Sequence, residues 1–185
     1  MFIGGAVVYF WNPRAPRPEK PEPVTVRTIT LDPTPEALRF ARPETLPQAP
    51  ILRVVDGDTA QILWKDKPLF LRYYGVNTPE RDHPCYNEAT QRNRALSGGS
   101  VRLTFDERQK DNYNRVLAYV FSEDGVSIDA QLVREGYGKA WKRDGALKEQ
   151  LMELEDAARR DKRGCLWSDN KPDEKPAPRR KRRRS

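Results

Sequence analysis

Oxygen-bearing side chains are concentrated in two short motifs of the sequence. Asp56 and Asp58 flank a glycine in the first motif, and Asn77, Thr78 and Glu80 make up the second. Carboxylate, amide and carbonyl oxygens suit hard cations such as Ca²⁺ or Mg²⁺. One histidine and two cysteines are too few to build a zinc site. The first motif is also typical of an ordinary turn, so the residues alone leave both interpretations open.

Two arginines accompany these donors. Arg72 lies within an otherwise apolar and aromatic strand-like run, and Arg115 opens another such run. An arginine in a strand is usually paired with a carboxylate for structural reasons. Two guanidinium groups beside a divalent cation would instead suit a phosphate group, whose oxygens accept paired N–H donors.

The elements that must position these residues follow from periodicity and turn signals. The sequence predicts strands at 51–55, 59–65, 69–76, 100–105 and 115–121, and helices at 86–96, 127–135 and 145–163. This order predicts a five-stranded OB-type barrel with three α-helices, an α+β fold. The two motifs then lie at strand ends, where neighbouring loops can meet.

Composition divides the 185 residues into a folded centre and two tails. Ten of the sixteen prolines lie in residues 1–50, which we interpret as an apolar stub followed by a Pro-rich linker. Residues 2–11 are apolar but too short to span a membrane. We expect a truncated export or anchor segment there; a signal peptide without its basic start and a plain hydrophobic end are the alternatives. Residues 51–168 are the expected domain.

The net positive charge is concentrated at the end of the chain. Residues 51–170 hold 20 basic and 20 acidic side chains, whereas residues 171–185 hold eight basic and two acidic ones. We therefore expect residues 169–185 to be a disordered basic tail that acts as an electrostatic arm, rather than a nuclear-localisation signal. Affinity of the domain for nucleic acid must depend on where individual arginines lie.

The motifs, taken in order, resemble those of the staphylococcal nuclease (thermonuclease) family. The resemblance covers about residues 51–168, and neither tail belongs to it. The similar segments are Asp56-Gly57-Asp58-Thr59, Arg72, Gly75-Val76-Asn77-Thr78-Pro79-Glu80, Asp111-Asn112-Tyr113-Asn114-Arg115, 126–140 and Gly164-Cys165-Leu166-Trp167.

The resemblance implies a nuclease that uses one Ca²⁺ ion. Asp58 matches a metal ligand, Thr78 matches a residue that ligates through its carbonyl, and Asp56 matches a residue that supports the metal through water. Asn77 departs from the family pattern, which has an aspartate there. An amide oxygen still ligates Ca²⁺, but one negative charge is lost.

The resemblance also implies an activity: hydrolysis of DNA and RNA phosphodiester bonds, as endonuclease or exonuclease, leaving 3′-phosphate ends. Glu80 matches the proposed base that activates the attacking water, and Arg72 and Arg115 match the phosphate clamp. Tyr113 is expected on the substrate side; a half-buried loop tyrosine is the structural alternative.

The two cysteines bear on location. Free thiols of a cytosolic protein are one interpretation, and spacing alone does not pair them. The resemblance places Cys85 and Cys165 in regions that approach each other, so we expect a disulfide and a secreted or envelope-anchored protein, with the cytoplasm as the alternative.

A catalytically silent OB-fold module that only binds nucleic acid is the competing function, because OB-type barrels often only bind. An enzyme is favoured because Asp58, Arg72, Glu80 and Arg115 are all present. We expect it to act as a monomer on DNA and RNA, with membrane attachment through the N-terminal segment.

Overall fold

The computed structural model describes residues 39–169. The expected apolar stub, most of the Pro-rich linker and the basic tail beyond residue 169 lie outside these residues. The strands are β1 (Gln48–Val54), β2 (Thr59–Trp64), β3 (Lys67–Tyr73), β4 (Val76–Asn77), β5 (Ser100–Thr104), β6 (Val116–Phe121) and β7 (Lys139–Ala140). The helices are α1 (Tyr86–Ser97), α2 (Ile128–Arg134), α3 (Lys148–Arg160) and α4 (Gly164–Trp167).

Five strands form a closed barrel in the order β1-β2-β3-β6-β5. All neighbours are antiparallel except β3 and β6, which run parallel. Alternate residues of these strands fill the interior, among them Ile62, Leu71 and Leu103, and none of the three is exposed. The predicted five-stranded OB-type barrel with attached helices is therefore confirmed.

The first strand closes the barrel by changing partners. Residues 48–50 pair with β5, and the strand then pairs with β2 from Ile51 onward, with a register shift between Ile51 and Arg53. A bulge of this kind bends a strand at the rim of a barrel. β1 thus begins three residues before the predicted start, because Pro50 is accommodated where the strand bends.

The folded unit also extends further towards the N-terminus than residue 51. The Phe40 amide donates to the Gly125 carbonyl at 2.8 Å, and its ring packs edge-on against Phe121, with ring centroids 5.7 Å apart. Arg39 forms an ion pair with Asp124 at 2.9 Å. Part of the predicted linker is therefore attached to the barrel.

Other boundaries differ for local reasons. The predicted third strand is divided into β3 and β4, because the chain turns at Tyr74 and Gly75. The third helix begins at Lys148 rather than at residue 145, because Gly145 has a φ of 111°, which lies outside the helical region. The short α4 adds a fourth helix.

A disulfide joins the residue before the first helix to the last helix. Cys85, which precedes α1, is paired with Cys165 in α4, with Cα atoms 5.7 Å apart. Both cysteines are buried and pack with Leu166 as a small cluster separate from the main core. None of the helices formed by residues 39–169 has the length and apolar character needed to cross a membrane.

Candidate active site

The two oxygen-rich motifs meet at one end of the barrel. A Cβ atom on Gly57 would lie within 3 Å of the Thr78 side chain, so only glycine permits this approach. The Thr78 amide and hydroxyl both donate to Oδ2 of Asp58, at 2.6 and 2.9 Å. The first motif is therefore a turn, and its Asp58 carboxylate holds the second motif in place through these two hydrogen bonds.

Arg72 is fixed in the same place by four groups. Its Nε lies 3.2 Å from Oδ1 of Asp58, and its Nη2 donates to the Asn77 amide oxygen at 2.9 Å. Its Nη1 donates to the carbonyls of Tyr73 and Val76. Arg72 thus holds the turn between β3 and β4 and neutralises Asp58.

A second arginine is positioned by the loop before β6. The Asp111 carboxylate accepts from the amides of Tyr113 and Arg115, both at 2.9 Å, and from Nε of Arg115 at 2.5 Å. Burial acts to raise the pKa of Asp111, but the hydrogen bonds from Arg115 and Tyr113 hold it below its ordinary value. Nη1 of Arg115 lies 3.5 Å from the Thr59 hydroxyl, so the guanidinium bridges towards the first motif.

These groups surround one cleft of about 490 Å³. Five carboxylates and four guanidiniums line it, together with polar and aromatic side chains. The predicted site residues among them are Asp56, Asp58, Arg72, Asn77, Glu80, Tyr113 and Arg115. Thr78 is buried behind the lining, where it supports Asp58.

Exposure differs among the predicted residues. Asn77 and Glu80 are exposed at the cleft, while Asp58 is only 6% exposed. Burial, followed by repulsion from Asp58, raises the pKa of Asp56. Tyr113 is 82% exposed, so the alternative of a half-buried loop tyrosine does not apply, and its ring lies 5.5 Å from the Arg115 guanidinium carbon.

Asp129 is a buried carboxylate that holds the segment before Asn77 from the side of the core. The sequence alone did not point to it. Asp129 in α2 accepts from the Gly75 amide at 2.7 Å and from the Val120 amide at 2.8 Å. Burial raises the pKa of Asp129 to about 6, against the opposing effect of these hydrogen bonds. Its place in the first turn of a helix is also typical of a solvent-facing acid, so the sequence carried no distinguishing signal.

Four further cleft residues were missed by the sequence analysis: Arg108, Trp141, Arg143 and Asp144. Arg108 donates twice to Asp144, both at 3.1 Å, and the Trp141 indole donates to the same carboxylate at 2.6 Å. A tryptophan among basic residues, here Trp141 with Lys139, Lys142 and Arg143, is a signal that could have identified this loop. Tertiary folding alone brings the loop after β7 to the cleft.

The donor set fits a hard cation in chemical type. Asp58, Asp56 and Asn77 provide carboxylate and amide oxygens, and burial together with the charge of Asp58 raises the pKa of Asp56. Within residues 39–169, no group of three or more His, Cys, Asp or Glu side chains is placed to hold a metal. Amide, carbonyl and water oxygens would have to complete the coordination.

Comparisons with known proteins identify the family of the chain. The family model described as "Staphylococcal nuclease homologue" matches residues 70–169. An "uncharacterized endonuclease" of Escherichia coli is 31% identical over 123 residues, which cover 66% of this chain and 78% of that protein. The thermonuclease of Staphylococcus hyicus is 32% identical over 127 residues, covering 64% and 74%. Endonuclease YncB of Bacillus subtilis is 39% identical over 95 residues, covering 47% and 44%. The chain belongs to the staphylococcal nuclease homologue family.

Proposed function

We propose that this member of the family is a calcium-dependent nuclease that hydrolyses phosphodiester bonds of DNA and RNA and leaves 3′-phosphate ends. The observation that carries the proposal is the convergence of Asp58, Arg72, Glu80 and Arg115 on one cleft. The names of the relatives support nuclease activity, and the oxygen-only donors support a hard cation.

Asp58 and the Asn77 amide, with the Thr78 carbonyl and with Asp56 acting through water, would hold one Ca²⁺. The bound ion would supply positive charge against the phosphate oxygens and orient the reacting groups. The remaining steps depend on side chains of the chain itself.

Arg72 and Arg115 bind the non-bridging oxygens of the scissile phosphate. Arg115 suits this task because Asp111 fixes its Nε, which leaves its terminal nitrogens directed to the cleft. Such preorganised donors stabilise charge that develops in the transition state without having to reorganise.

Glu80 accepts a proton from the attacking water. Its carboxylate is exposed at the cleft and makes no hydrogen bond to another side chain of residues 39–169, so it is free to bind water. The water oxygen attacks phosphorus and the P–O5′ bond breaks. The leaving 5′ oxygen takes a proton from solvent, and the phosphate stays on the 3′ oxygen.

We also propose that the protein is secreted or anchored to the cell envelope. Two observations support this location over the cytoplasm: the buried Cys85–Cys165 pair, which suits an oxidising compartment, and the apolar residues 2–11. Cell fractionation followed by thiol labelling of the unfolded, unreduced protein tests both points. We expect no free thiol in the envelope or medium fraction.

The activity is tested by incubating the full chain with plasmid DNA and with RNA, in calcium or in chelator. We expect cleavage only in calcium, and Glu80→Gln, which keeps the shape of the side chain, as the matched inactive control. Product 5′ ends should accept labelled phosphate without phosphatase treatment, whereas 3′ ends should block a polymerase until phosphatase is added. Binding without cleavage in any metal would favour the silent binding module.

A further inference from the structure

Arg143 differs from the other arginines of the cleft. Arg72, Arg108 and Arg115 each lie within 3.2 Å of a carboxylate oxygen. Within residues 39–169, no ion pair joins Arg143 to a carboxylate; its guanidinium carbon lies 5.3 Å from the centre of the Trp141 ring. Arg143 is exposed and lines the cleft, so it brings a positive charge there that no paired side chain neutralises.

Trp141 gives this guanidinium a fixed surface. The indole Nε1 donates to Asp144 at 2.6 Å, and Asp144 is itself held by Arg108. The Trp141 amide donates to the Gly75 carbonyl at 2.9 Å, which ties the start of this loop to the turn before β4. A cation held over an aromatic ring keeps its charge while losing part of its conformational freedom in advance.

The position of Arg143 relative to the catalytic groups follows from strand pairing. Lys139 in β7 pairs with Asn77, whose side chain accepts from Arg72. Arg143 follows Lys139 by four residues, a path of at most about 14 Å of extended chain. It therefore belongs to the same cleft as the phosphate clamp but to a separate loop.

We propose that Arg143, held against Trp141, binds a phosphate of the substrate strand adjacent to the one that is hydrolysed. The inference rests on the proposed function. A polynucleotide carries one negative charge per nucleotide, so a strand with one phosphate at Arg72 and Arg115 presents further phosphates to the cleft walls. The cleft would then bind at least two successive phosphates and prefer longer strands to dinucleotides.

The test measures binding apart from hydrolysis. Fluorescence anisotropy of labelled single-stranded DNA of two, four and twelve nucleotides is followed with full-length Glu80→Gln, in calcium and in chelator, over a range of salt. Arg143→Ala is added to this background. Arg94→Ala is the matched control, because Arg94 is an exposed arginine at the end of α1 outside the cleft. Arg143→Lys tests whether charge alone restores binding, and thermal unfolding checks that each variant is folded.

We expect Arg143→Ala to weaken binding of the twelve-nucleotide strand about three- to fivefold at low salt. The slope of log affinity against log salt should fall by about 0.7, the amount for one phosphate contact on a single strand. The loss should grow with strand length, Arg94→Ala should change nothing, and Arg143→Lys should recover the slope.

Equal affinities and slopes for Arg143→Ala and Arg94→Ala would overturn the inference. So would a loss that is the same for two and twelve nucleotides, since it would place Arg143 at the scissile phosphate. Failure of the proposed function looks different: the wild-type chain would cleave nothing in calcium, while the anisotropy slopes would still report whether Arg143 contacts a phosphate.

Discussion

The two walls of the cleft are built differently. The inner wall, formed by Asp56, Asp58 and Arg72, is mostly buried, and each of these side chains is hydrogen-bonded to its neighbours. The outer wall, formed by Tyr113, Arg143 and the other exposed residues of their two loops, faces solvent. Tyr113 is 82% exposed, against 6% for Asp58.

This difference separates two tasks. Groups that hold the ion and the phosphate charge need fixed positions, which buried, fully bonded side chains provide. Glu80, which acts on water, is exposed at the cleft and leaves its carboxylate open to that water. Groups that bind a passing strand need access and adaptability, which exposed loops provide. Arg115 joins the walls, because its guanidinium spans from Asp111 in the outer loop to Thr59 at the start of β2.

The largest effects are expected from removing either clamp arginine, Arg72 of the inner wall or Arg115, which joins the two walls. Arg72→Ala and Arg115→Ala should each lower kcat/KM about a hundred- to ten-thousandfold, because each removes positive charge from the transition state. Only Arg72→Ala should also lower the free energy of unfolding, by about 2–4 kcal/mol, since it leaves Asp58 buried without a counter-charge. Steady-state kinetics and urea denaturation measure the two effects.

Equal losses of stability in the two variants would contradict the distinction between the walls. Arg115→Ala is the built-in control, because its side chain is 30% exposed and its ion pair with Asp111 should contribute less than about 1 kcal/mol.

A second prediction concerns what holds the segment that carries Glu80. His83 donates its amide to the Glu80 carbonyl at 2.9 Å, and Nδ1 of His83 accepts from the Cys85 amide at 3.0 Å. The paired Cys85→Ala and Cys165→Ala variant should lose about 2–4 kcal/mol of unfolding free energy, because the bridge closes a long loop. Its kcat should fall less than that of the Arg72 variant.

Urea denaturation of the oxidised wild type, the reduced wild type and the double variant provides the measurement. The reduced protein and the double variant should agree. An oxidised protein no more stable than the reduced one would show that the pair does not constrain this segment.

The sequence predicted the barrel, its five strands and the residues that converge at strand ends, because alternation and turn residues are local signals. It did not predict Asp129 or the group around Trp141. Both depend on contacts between distant segments: Asp129 meets Gly75 across the fold, and Trp141 meets Arg108 through Asp144. Element ends shifted by a few residues at the register shift in β1, at the turn after β3 and at Gly145, whose φ lies outside the helical region.

Asp129 predicts a pH dependence of stability. Its pKa is about 6 in the folded protein against an ordinary value of 3.8, so ionisation costs more in the folded state. The stability it provides is complete below about pH 4 and is lost as the pH rises to about 6, on the order of 2–3 kcal/mol. In Asp129→Asn, the free energy of unfolding measured by urea denaturation should no longer fall between pH 4 and 7.

Asp124→Asn is the matched control of opposite sign. Hydrogen bonding from Ser122 and the Arg39 ion pair lower the pKa of Asp124, so wild-type Asp124 adds stability as the pH rises from acid. That gain is complete by about pH 5, so Asp124→Asn should keep the fall between pH 5 and 7 that Asp129→Asn removes. If Asp129→Asn keeps the wild-type pH profile, Asp129 is not the titrating group.

The smallest effect is expected at Asn77, on the edge of the inner wall. An aspartate there would add a negative charge beside Asp58 and in contact with Arg72, whose Nη2 already donates to the Asn77 oxygen at 2.9 Å. More ligand charge tightens Ca²⁺ binding, so Asn77→Asp should lower the calcium concentration for half-saturation about three- to tenfold. The same charge holds Arg72 more strongly, which should raise KM for DNA and leave less gain in kcat/KM than in calcium affinity.

Calorimetric titration of calcium and rates at saturating calcium separate these two results. Asn112→Asp is the control, since Asn112 lines the cleft in the outer loop and gains the same charge away from Asp58. A general electrostatic effect would tighten calcium binding equally in both variants, whereas ligation through residue 77 requires the change to be confined to Asn77→Asp. If neither variant binds calcium more tightly, residue 77 contacts Arg72 and does not ligate the ion. The inner wall would then hold calcium chiefly through Asp58.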